Sequence, residues 1–277
     1  MVNTKNIRRS ICEIGKILYD RKLTDSSGGN ISVRDGDRIY VSPRGAGYNH
    51  QWELEEDLII ITDLCRIPLV GSAEDVSREA ATHYYIYQNF PDVNAVIHGH
   101  PINIMAFGAA HMEIPAVSEG TRAILGNQPI TNVPEVLPGS KEQAQEVVNN
   151  FKKRREIDPD CPLICSLPYH GTFAAGKTLN DAFCYTEVAD NCAQILIKRD
   201  SLFGGDPRAD FSIHKKFTKE DFKEIDQVKE ICDPGFVYND AFGKETVYGG
   251  SERIDQDESK NELIDKITKE FLRKYRN

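Results

Sequence analysis

His98-Gly99-His100 is the segment whose residue types and spacing point most directly to chemistry. It follows the short β-branched run 95–97, which is typical of a strand. Side chains two positions apart in a strand point to the same face, so both imidazoles could bind one metal ion. Two histidines at this spacing also arise by chance, and the pair alone does not establish a metal site.

Catalytic zinc is usually held by three protein ligands with a fourth position left open, so a third histidine is expected. The remaining histidines are His50, His83, His111, His170 and His214. His170 is favoured because it lies between the strand-like runs 162–165 and 171–175. His83 lies in a helical pattern, and His214 lies in a charged stretch. We therefore predict a metal site formed by His98, His100 and His170.

The charge balance excludes some classes of partner. The 277 residues include 34 Lys and Arg against 43 Asp and Glu, a net charge of −9. An acidic surface does not attract nucleic-acid phosphates or anionic membranes, so neither partner is expected. No run approaches 18 apolar residues, and the first ten residues are polar. We expect a cytoplasmic protein that binds any phosphate locally.

The cysteines do not indicate a disulfide framework. There are seven, they are scattered, and none forms a CxxC pair. Cys161 and Cys165 are the only close pair. Buried or incidental thiols are expected instead of a disulfide network or a cysteine-rich zinc knuckle.

Short strands and helices alternate along most of the chain. Strand-like runs occupy 31–34, 39–41, 58–61, 95–97, 162–165 and 171–175. Helical patterns occupy 7–20, 77–89 and 179–198, with Asn180 as the predicted N-cap of the last helix. The mixture predicts an α/β fold with a central, mainly antiparallel sheet flanked by helices.

The carboxy-terminal part has a different composition. A capping-box pattern at 218–221 predicts a helix to about residue 231, and 249–260 is a polar linker. Residues 260–276 form an amphipathic pattern whose apolar side holds Leu263, Ile264, Ile267, Phe271, Leu272 and Tyr275. The predicted organisation is a catalytic domain at 1–232, an irregular region and linker at 233–259, and a helix at 260–277.

Five motifs together resemble the class II aldolase/adducin family. They occupy 28–34, 42–45, 77–79, 98–100 and 170–171, in the order and rough spacing of that family. The resemblance covers about residues 7–230. Within the family the chain is similar to L-fuculose-phosphate and L-rhamnulose-phosphate aldolases, and the stretches from 137–140 to 193–194 look most like the rhamnulose branch. The resemblance implies a homotetramer with zinc-bound active sites at subunit interfaces.

The resemblance also implies roles for individual residues. His98, His100 and His170 match the zinc ligands, and one Zn²⁺ per subunit would stabilise the enediolate of the dihydroxyacetone-phosphate portion. Glu79 matches the catalytic glutamate that moves the proton at the enediolate carbon. Glu119 matches an acid that a neighbouring subunit presents to the leaving aldehyde. The implied reaction cleaves a deoxyketose 1-phosphate to dihydroxyacetone phosphate and an aldehyde such as L-lactaldehyde.

The same comparison implies a phosphate site in the glycine-rich loops, whose N–H groups can converge on phosphate oxygens. The matching residues are Ser27, Gly29, Asn30, Ser42, Gly45 and Ser77. Arg44 and Arg78 depart from the family, which has smaller residues there. Arginine binds phosphate in a bidentate manner, so these two residues either strengthen the anion site or indicate a different acidic substrate.

Other activities of the family remain alternatives. A ribulose-phosphate 4-epimerase would have aspartate in place of Glu79, so the glutamate favours aldol cleavage. Aldolases of 5-deoxyribulose or methylthioribulose phosphate, dehydratases and decarboxylases share the glutamate. A non-catalytic adducin-like module would lack the histidines, which are all present here.

The terminal amphipathic helix supports a separate hypothesis. A polar linker that leads into such a helix resembles the encapsulation peptides that load enzymes into bacterial microcompartments. The implied partners are shell proteins, and the implied location is inside a microcompartment. The alternative is a helix that packs on its own tetramer.

Overall fold

The computed structural model describes residues 4–203 and two short strands at Val237–Asn239 and Glu245–Val247. Seven helices occupy Thr4–Asp20 (α1), Ala46–His50 (α2), Ala80–Asn89 (α3), Ile102–Ala109 (α4), Glu119–Leu125 (α5), Lys141–Ile157 (α6) and Leu179–Phe203 (α7) within 4–203. Seven strands of the same range occupy Asn30–Asp35 (β1), Arg38–Val41 (β2), Ile60–Asp63 (β3), Pro68–Val70 (β4), Ala95–Gly99 (β5), Leu163–Leu167 (β6) and Gly171–Gly176 (β7).

The seven strands form one antiparallel sheet in the order β4-β3-β2-β1-β5-β7-β6. β5 lies between β1 and β7, where Ile97 pairs with Ile31 on one side and with Ala174 on the other. Every residue of β5 and β7 is buried. The predicted α/β class with a mainly antiparallel central sheet is confirmed.

Helices cover both faces of the sheet. Because strand side chains alternate between faces, Val96 packs into one apolar cluster while Ala95 and Ile97 pack into another. The first cluster includes residues of α3 and α6, and the second includes residues of α1 and α7 around the fully buried Trp52. The sheet is therefore a rigid support for residues at its strand ends.

Two predicted helix starts differ from the structure. The helix predicted at 77–89 begins at Ala80, because Glu79 occupies the N-cap position. Asn180 is not the N-cap of α7, so that prediction is wrong. Thr178 Oγ1 accepts a hydrogen bond from Asp181 N at 3.1 Å, and Asp181 Oδ2 accepts one from Thr178 N at 2.8 Å. This reciprocal pair satisfies two free amides and begins the helix one residue before Asn180.

The chain divides into two compact units, residues 1–217 and 218–277. In the second unit the two short strands pair antiparallel, with Val237 opposite Val247, within the region predicted to be irregular. The helices predicted at 218–231 and 260–276 lie outside the described residues, and the predicted domain limits at 232 and 259 stay predictions. No helix within the described ranges has the length and apolar character that a membrane span needs.

Candidate active site

The three predicted histidines meet at one end of the central strands. His98 belongs to β5, and His100 follows its last residue. His170 lies in the turn between β6 and β7, and β7 is the neighbour of β5 in the sheet. Among the described residues, one ligand atom from each ring lies within 4.8 Å of the other two. Strand pairing thus brings together three histidines that are far apart in sequence.

Two of these rings are oriented by hydrogen bonds through Nδ1. His98 Nδ1 donates to the carbonyl oxygen of Thr172 at 2.9 Å, and His100 Nδ1 donates to Asp25 Oδ1 at 3.2 Å. These contacts direct Nε2 of both rings toward the centre of the cluster. Both Nε2 atoms are buried, and that of His100 has no hydrogen-bond partner. Imidazole nitrogens that converge on one point fit a divalent metal ion.

The His100 ring is also kept neutral. Burial and the neighbouring His98 lower the pKa of His100 to about 4, although Asp25 acts in the opposite direction. A neutral ring near pH 7 is the form that binds a metal.

Glu79 reaches into the same cluster from the start of α3. Its Oε2 lies 2.7 Å from Nε2 of His98, and its Oε1 lies 3.2 Å from Nε2 of His170. Burial alone would raise the pKa of the Glu79 carboxyl. The contacts to His170 and His98 and their charge outweigh burial and hold that pKa far below its usual range. Glu79 is therefore ionised and stands where it can touch both a metal and its ligands.

Glycines allow the loops to approach His100 closely. A Cβ at Gly28 would lie 2.6 Å from His100 Cε1, and a Cβ at Gly171 would lie 2.9 Å from His100 Cδ2. Neither distance is tolerated between real atoms, so a side chain at either position would displace the ring. The glycine-rich loop and the start of β7 therefore enclose this ligand between two backbone surfaces.

A cavity of about 420 Å³ lies beside the histidines, and most of the predicted site residues line it. The predicted residues that line it are Ser27, Gly29, Asn30, Arg44, Gly45, Ser77, Arg78, Glu79, His100 and His170. The 26–30 loop, the 44–48 segment and the residues before α3 thus form one wall, and the metal cluster forms its base.

Hydrogen bonds connect the loops of this wall. Asn30 Nδ2 donates to Ser77 Oγ at 3.4 Å, and Ser77 Oγ also accepts from Glu79 N at 3.3 Å. Ser27 donates to Asp25 Oδ1 from both its amide (2.7 Å) and its hydroxyl (2.6 Å). The polar groups of the wall are therefore held in fixed positions before any ligand arrives.

Arg44 and Arg78 are exposed residues of this wall. Among the described residues, neither guanidinium makes an ion pair or a hydrogen bond. Two uncompensated cations on one cavity wall suit the binding of a multiply charged anion.

Two predicted residues lie away from the cavity. Ser42 is fully buried, and its hydroxyl accepts a hydrogen bond from Ile31 N at 3.0 Å. Glu119 is the exposed first residue of α5, and it does not line the cavity of its own chain. Phosphate binding by Ser42 and an action of Glu119 across a subunit interface stay predictions.

Sequence reasoning missed Asp25 and Tyr48. Asp25 orients His100 and begins the glycine-rich loop with a short side chain–backbone turn. The available signal was an aspartate two residues before a loop serine, which is typical of such turns. Tyr48 lines the cavity and is 79% exposed, and nothing in its sequence context distinguishes it from a surface tyrosine.

The comparisons with known proteins agree with this geometry. The profile of the Class II Aldolase and Adducin N-terminal domain matches residues 9–197. An L-fuculose phosphate aldolase of Methanococcus maripaludis is 32% identical over 183 residues, which is 66% of this chain and 92% of that protein. A 5-deoxy-D-ribulose 1-phosphate aldolase of Bacillus thuringiensis is 28% identical over 203 residues, 73% of this chain and 88% of that protein.

A solved L-fuculose 1-phosphate aldolase has the same fold. It superposes with a TM-score of 0.64 at 23% identity, covering 80% of this chain and 95% of that chain. The chain belongs to the class II aldolase and adducin family. Since the metal-binding histidines are complete, it is a metal-dependent aldehyde-lyase of that family.

Proposed function

We propose that this protein is a zinc-dependent aldolase that cleaves a deoxyketose 1-phosphate, either L-fuculose or L-rhamnulose 1-phosphate, to dihydroxyacetone phosphate and L-lactaldehyde. One observation carries the proposal: Glu79 lies between His98 and His170 in the cavity whose wall holds the anion-binding groups. The names of the fuculose-phosphate aldolases among its relatives support the substrate class.

The residues divide the reaction between them. Cleavage breaks the C3–C4 bond, removes a proton from the C4 hydroxyl and delivers a proton to C3. His98, His100 and His170 would hold a divalent cation, which would supply a Lewis acid for the carbonyl group. Glu79 carries the proton at C3, and its position beside the ligands places it within reach of that carbon. Arg44 and Arg78 hold the phosphate at the cavity wall, which fixes the position of the substrate relative to Glu79.

Zinc is proposed on the chemistry of the ligands. Three neutral imidazoles and a nearby carboxylate suit Zn²⁺, with one position left for substrate. The same donors also accept cobalt or nickel, so the native metal requires analysis of the purified protein.

A related substrate is the second candidate. The relative from Bacillus thuringiensis is named a 5-deoxy-D-ribulose 1-phosphate aldolase. Cleavage of that ketose uses the same bond and the same groups, and the difference lies only at the aldehyde end of the substrate. Tyr48, which is exposed at the cavity, is a candidate for discrimination there.

The assembly is proposed to be a homotetramer. Glu119 is the first residue of α5, which is capped by Ser118: Ser118 Oγ accepts a hydrogen bond from Thr121 N at 3.1 Å. The cap fixes the backbone of Glu119, although the side chain of Glu119 is exposed. An exposed acid on a rigid helix start can serve the cavity of a neighbouring subunit, where it would accept the proton of the C4 hydroxyl.

A cleavage assay with metal analysis tests the proposal. Purified protein is assayed for release of dihydroxyacetone phosphate from L-fuculose, L-rhamnulose, 5-deoxyribulose and methylthioribulose 1-phosphates. We expect about one zinc per chain and cleavage of a deoxyhexulose phosphate. His98→Ala should lose both metal and activity, whereas His50→Ala, a histidine that lies outside the cavity, should keep both. Full metal content and full activity in His98→Ala would refute the proposal.

Delivery to a bacterial microcompartment is a further proposal that rests on residues 260–277, which lie outside the described residues. We also propose a cytoplasmic location for the protein, either inside a microcompartment shell or free in the cytoplasm. The family match ends at residue 197, so the tail is not needed to define the family. Deletion of residues 249–277 should leave aldolase activity intact if the tail acts as an address for shell proteins. Loss of the tetramer on deletion would instead indicate packing within the enzyme.

A further inference from the structure

His170 is held differently from the other two histidines of the cluster. His98 and His100 each donate Nδ1–H to a fixed acceptor, Thr172 and Asp25. Among the described residues, Nδ1 of His170 has no such acceptor. The ring lies beside those of His98 and His100, and its one polar side-chain contact is from Nε2 to Glu79. Metal-binding histidines normally need an outer contact of this kind. The orientation of His170 must therefore come from the backbone that carries it.

That backbone is a tight turn in an unfavourable conformation. His170 N donates to Leu167 O at 3.1 Å, which closes a four-residue turn with Pro168 and Tyr169 at its centre. Tyr169 has φ +58°. Proline followed by a residue of positive φ is the pattern of a type II turn, which normally places glycine or asparagine at the position of Tyr169. A tyrosine remains there only when other contacts hold it.

The contact that holds it comes from His111, just after α4. His111 Nε2 and the Tyr169 hydroxyl share a hydrogen bond of 2.9 Å. The two rings also meet edge to face, with centroids 5.2 Å apart and an interplanar angle of 78°. His111 itself has φ +53°, so two left-handed residues fix each other. We call this pair the clasp.

We propose that the clasp of His111 and Tyr169 is a positioning device for the metal ligand His170. The clasp holds Tyr169 in the conformation that directs the next residue toward Glu79 and His98, and it replaces the outer hydrogen bond that His170 lacks. The inference rests on the histidine metal site of the proposed function. His111 and Tyr169 belong neither to the histidine cluster nor to the lining of the cavity, so they act through His170.

Zinc affinity measured on the metal-free protein tests the clasp without any activity assay. Zn²⁺ is titrated against a chromophoric chelator for the wild type, Tyr169→Phe, His111→Asn and the double variant. Each single change should weaken zinc binding about tenfold, and the double variant should be no worse, because both changes remove one contact. Tyr169→Asn should lose less affinity than Tyr169→Phe, since asparagine favours the left-handed backbone at this position even without the contact to His111.

Tyr85→Phe is the matched control. Tyr85 also donates one side-chain hydrogen bond, to Gln145 Oε1 at 2.7 Å, but it does not adjoin a ligand. The control should keep wild-type affinity. The absorption bands of the Co²⁺-substituted protein should shift in the clasp variants alone, since a merely structural contact would not change the ligand field.

Wild-type zinc affinity and an unchanged cobalt spectrum in both Tyr169→Phe and His111→Asn would overturn the inference. Fully additive losses in the double variant would overturn it as well. A wild-type chain that binds no metal would refute the metal site itself, which is a separate failure.

Discussion

The carboxylate of Glu79 lies 2.7 Å from Nε2 of His98, although Glu79 precedes α3 and His98 belongs to β5, an interior strand of the sheet. Glu79 contacts His170 as well, so a single carboxylate links two of the three ligands. A metal bound to the histidines would meet this carboxylate at once. The Glu79 carboxylate and the histidine cluster are therefore one structural unit.

Replacement of Glu79 by glutamine should separate its two roles. Glu79→Gln keeps the shape of the side chain but cannot carry a proton, so kcat should fall by about 10²–10⁴. Zinc content should stay near one per chain because the histidines are unchanged. Metal analysis and steady-state kinetics measure the two effects, with Glu74→Gln, an exposed glutamate of the preceding segment, as the control. Undiminished kcat would show that another group moves the proton.

Asp25 should matter for metal affinity more than for substrate. Asp25→Asn removes the negative charge that accepts the His100 Nδ1 proton, so zinc should bind about 10–100-fold more weakly. The KM should change little while the protein is saturated with zinc. Chelator competition measures the affinity. Asp37→Asn, in the exposed turn between β1 and β2, should bind zinc as the wild type does, and an equal loss in both variants would refute the role of Asp25.

Arg44 and Arg78 should govern binding of the phosphate. Each of Arg44→Ala and Arg78→Ala removes one charge-assisted contact, so KM should rise about tenfold with kcat nearly constant. Inhibition by inorganic phosphate should weaken in parallel. Arg9→Ala, which breaks an exposed pair with Glu13 on α1, should leave both quantities unchanged. If phosphate inhibition persists in both cavity variants, the guanidiniums bind a different group of the substrate.

His83 should make stability depend on pH. Burial lowers the pKa of His83 to about 3, with a smaller contribution from His98. The native ring stays neutral while the unfolded chain takes up a proton near its ordinary pKa of 6.5. Stability is therefore fully present above pH 6.5 and falls as pH decreases toward 3. Between pH 7 and 5 this group should remove about 2 kcal/mol of unfolding free energy.

Urea unfolding at the two pH values checks this expectation. His83→Gln keeps a polar partner for Ser32, whose hydroxyl lies 2.7 Å from His83 Nδ1. The variant should lose less stability between pH 7 and 5 than the wild type, by about the same 2 kcal/mol. An identical pH dependence would mean that other groups dominate in this range.

The sequence predicts the strands better than the contacts between them. The run Ala95-Val96-Ile97 contains two β-branched residues and identifies β5. Because strand side chains alternate between the two faces of a sheet, His98 and His100 are expected on the same face. Which strand lies beside β5 depends on pairing over long distances, which no local pattern encodes. The helix at 141–157 was not predicted, because its apolar residues are few among charged ones and tertiary packing stabilises it.

Only part of the candidate site could be predicted from the sequence. The histidines and Glu79 are evident from residue type and motif, but Asp25 acts through a hydrogen bond that only the folded chain defines. The clasp is similar. In the sequence, nothing distinguishes His111 and Tyr169 from other surface residues. Their hydrogen bond forms only because both residues adopt left-handed backbone conformations and lie side by side in the folded chain.

The interior position of β5 in the sheet has a consequence for how the protein is made. β5 pairs with β1, which is already synthesised when β5 appears, and with β7, which follows much later in the chain. A chain ending before β6 would hold His98 and His100 but not His170, and contacts of such sequence separation form slowly. A metal that needs all three histidines would therefore bind tightly only at the last stage of folding, and its binding would report completion of the sheet.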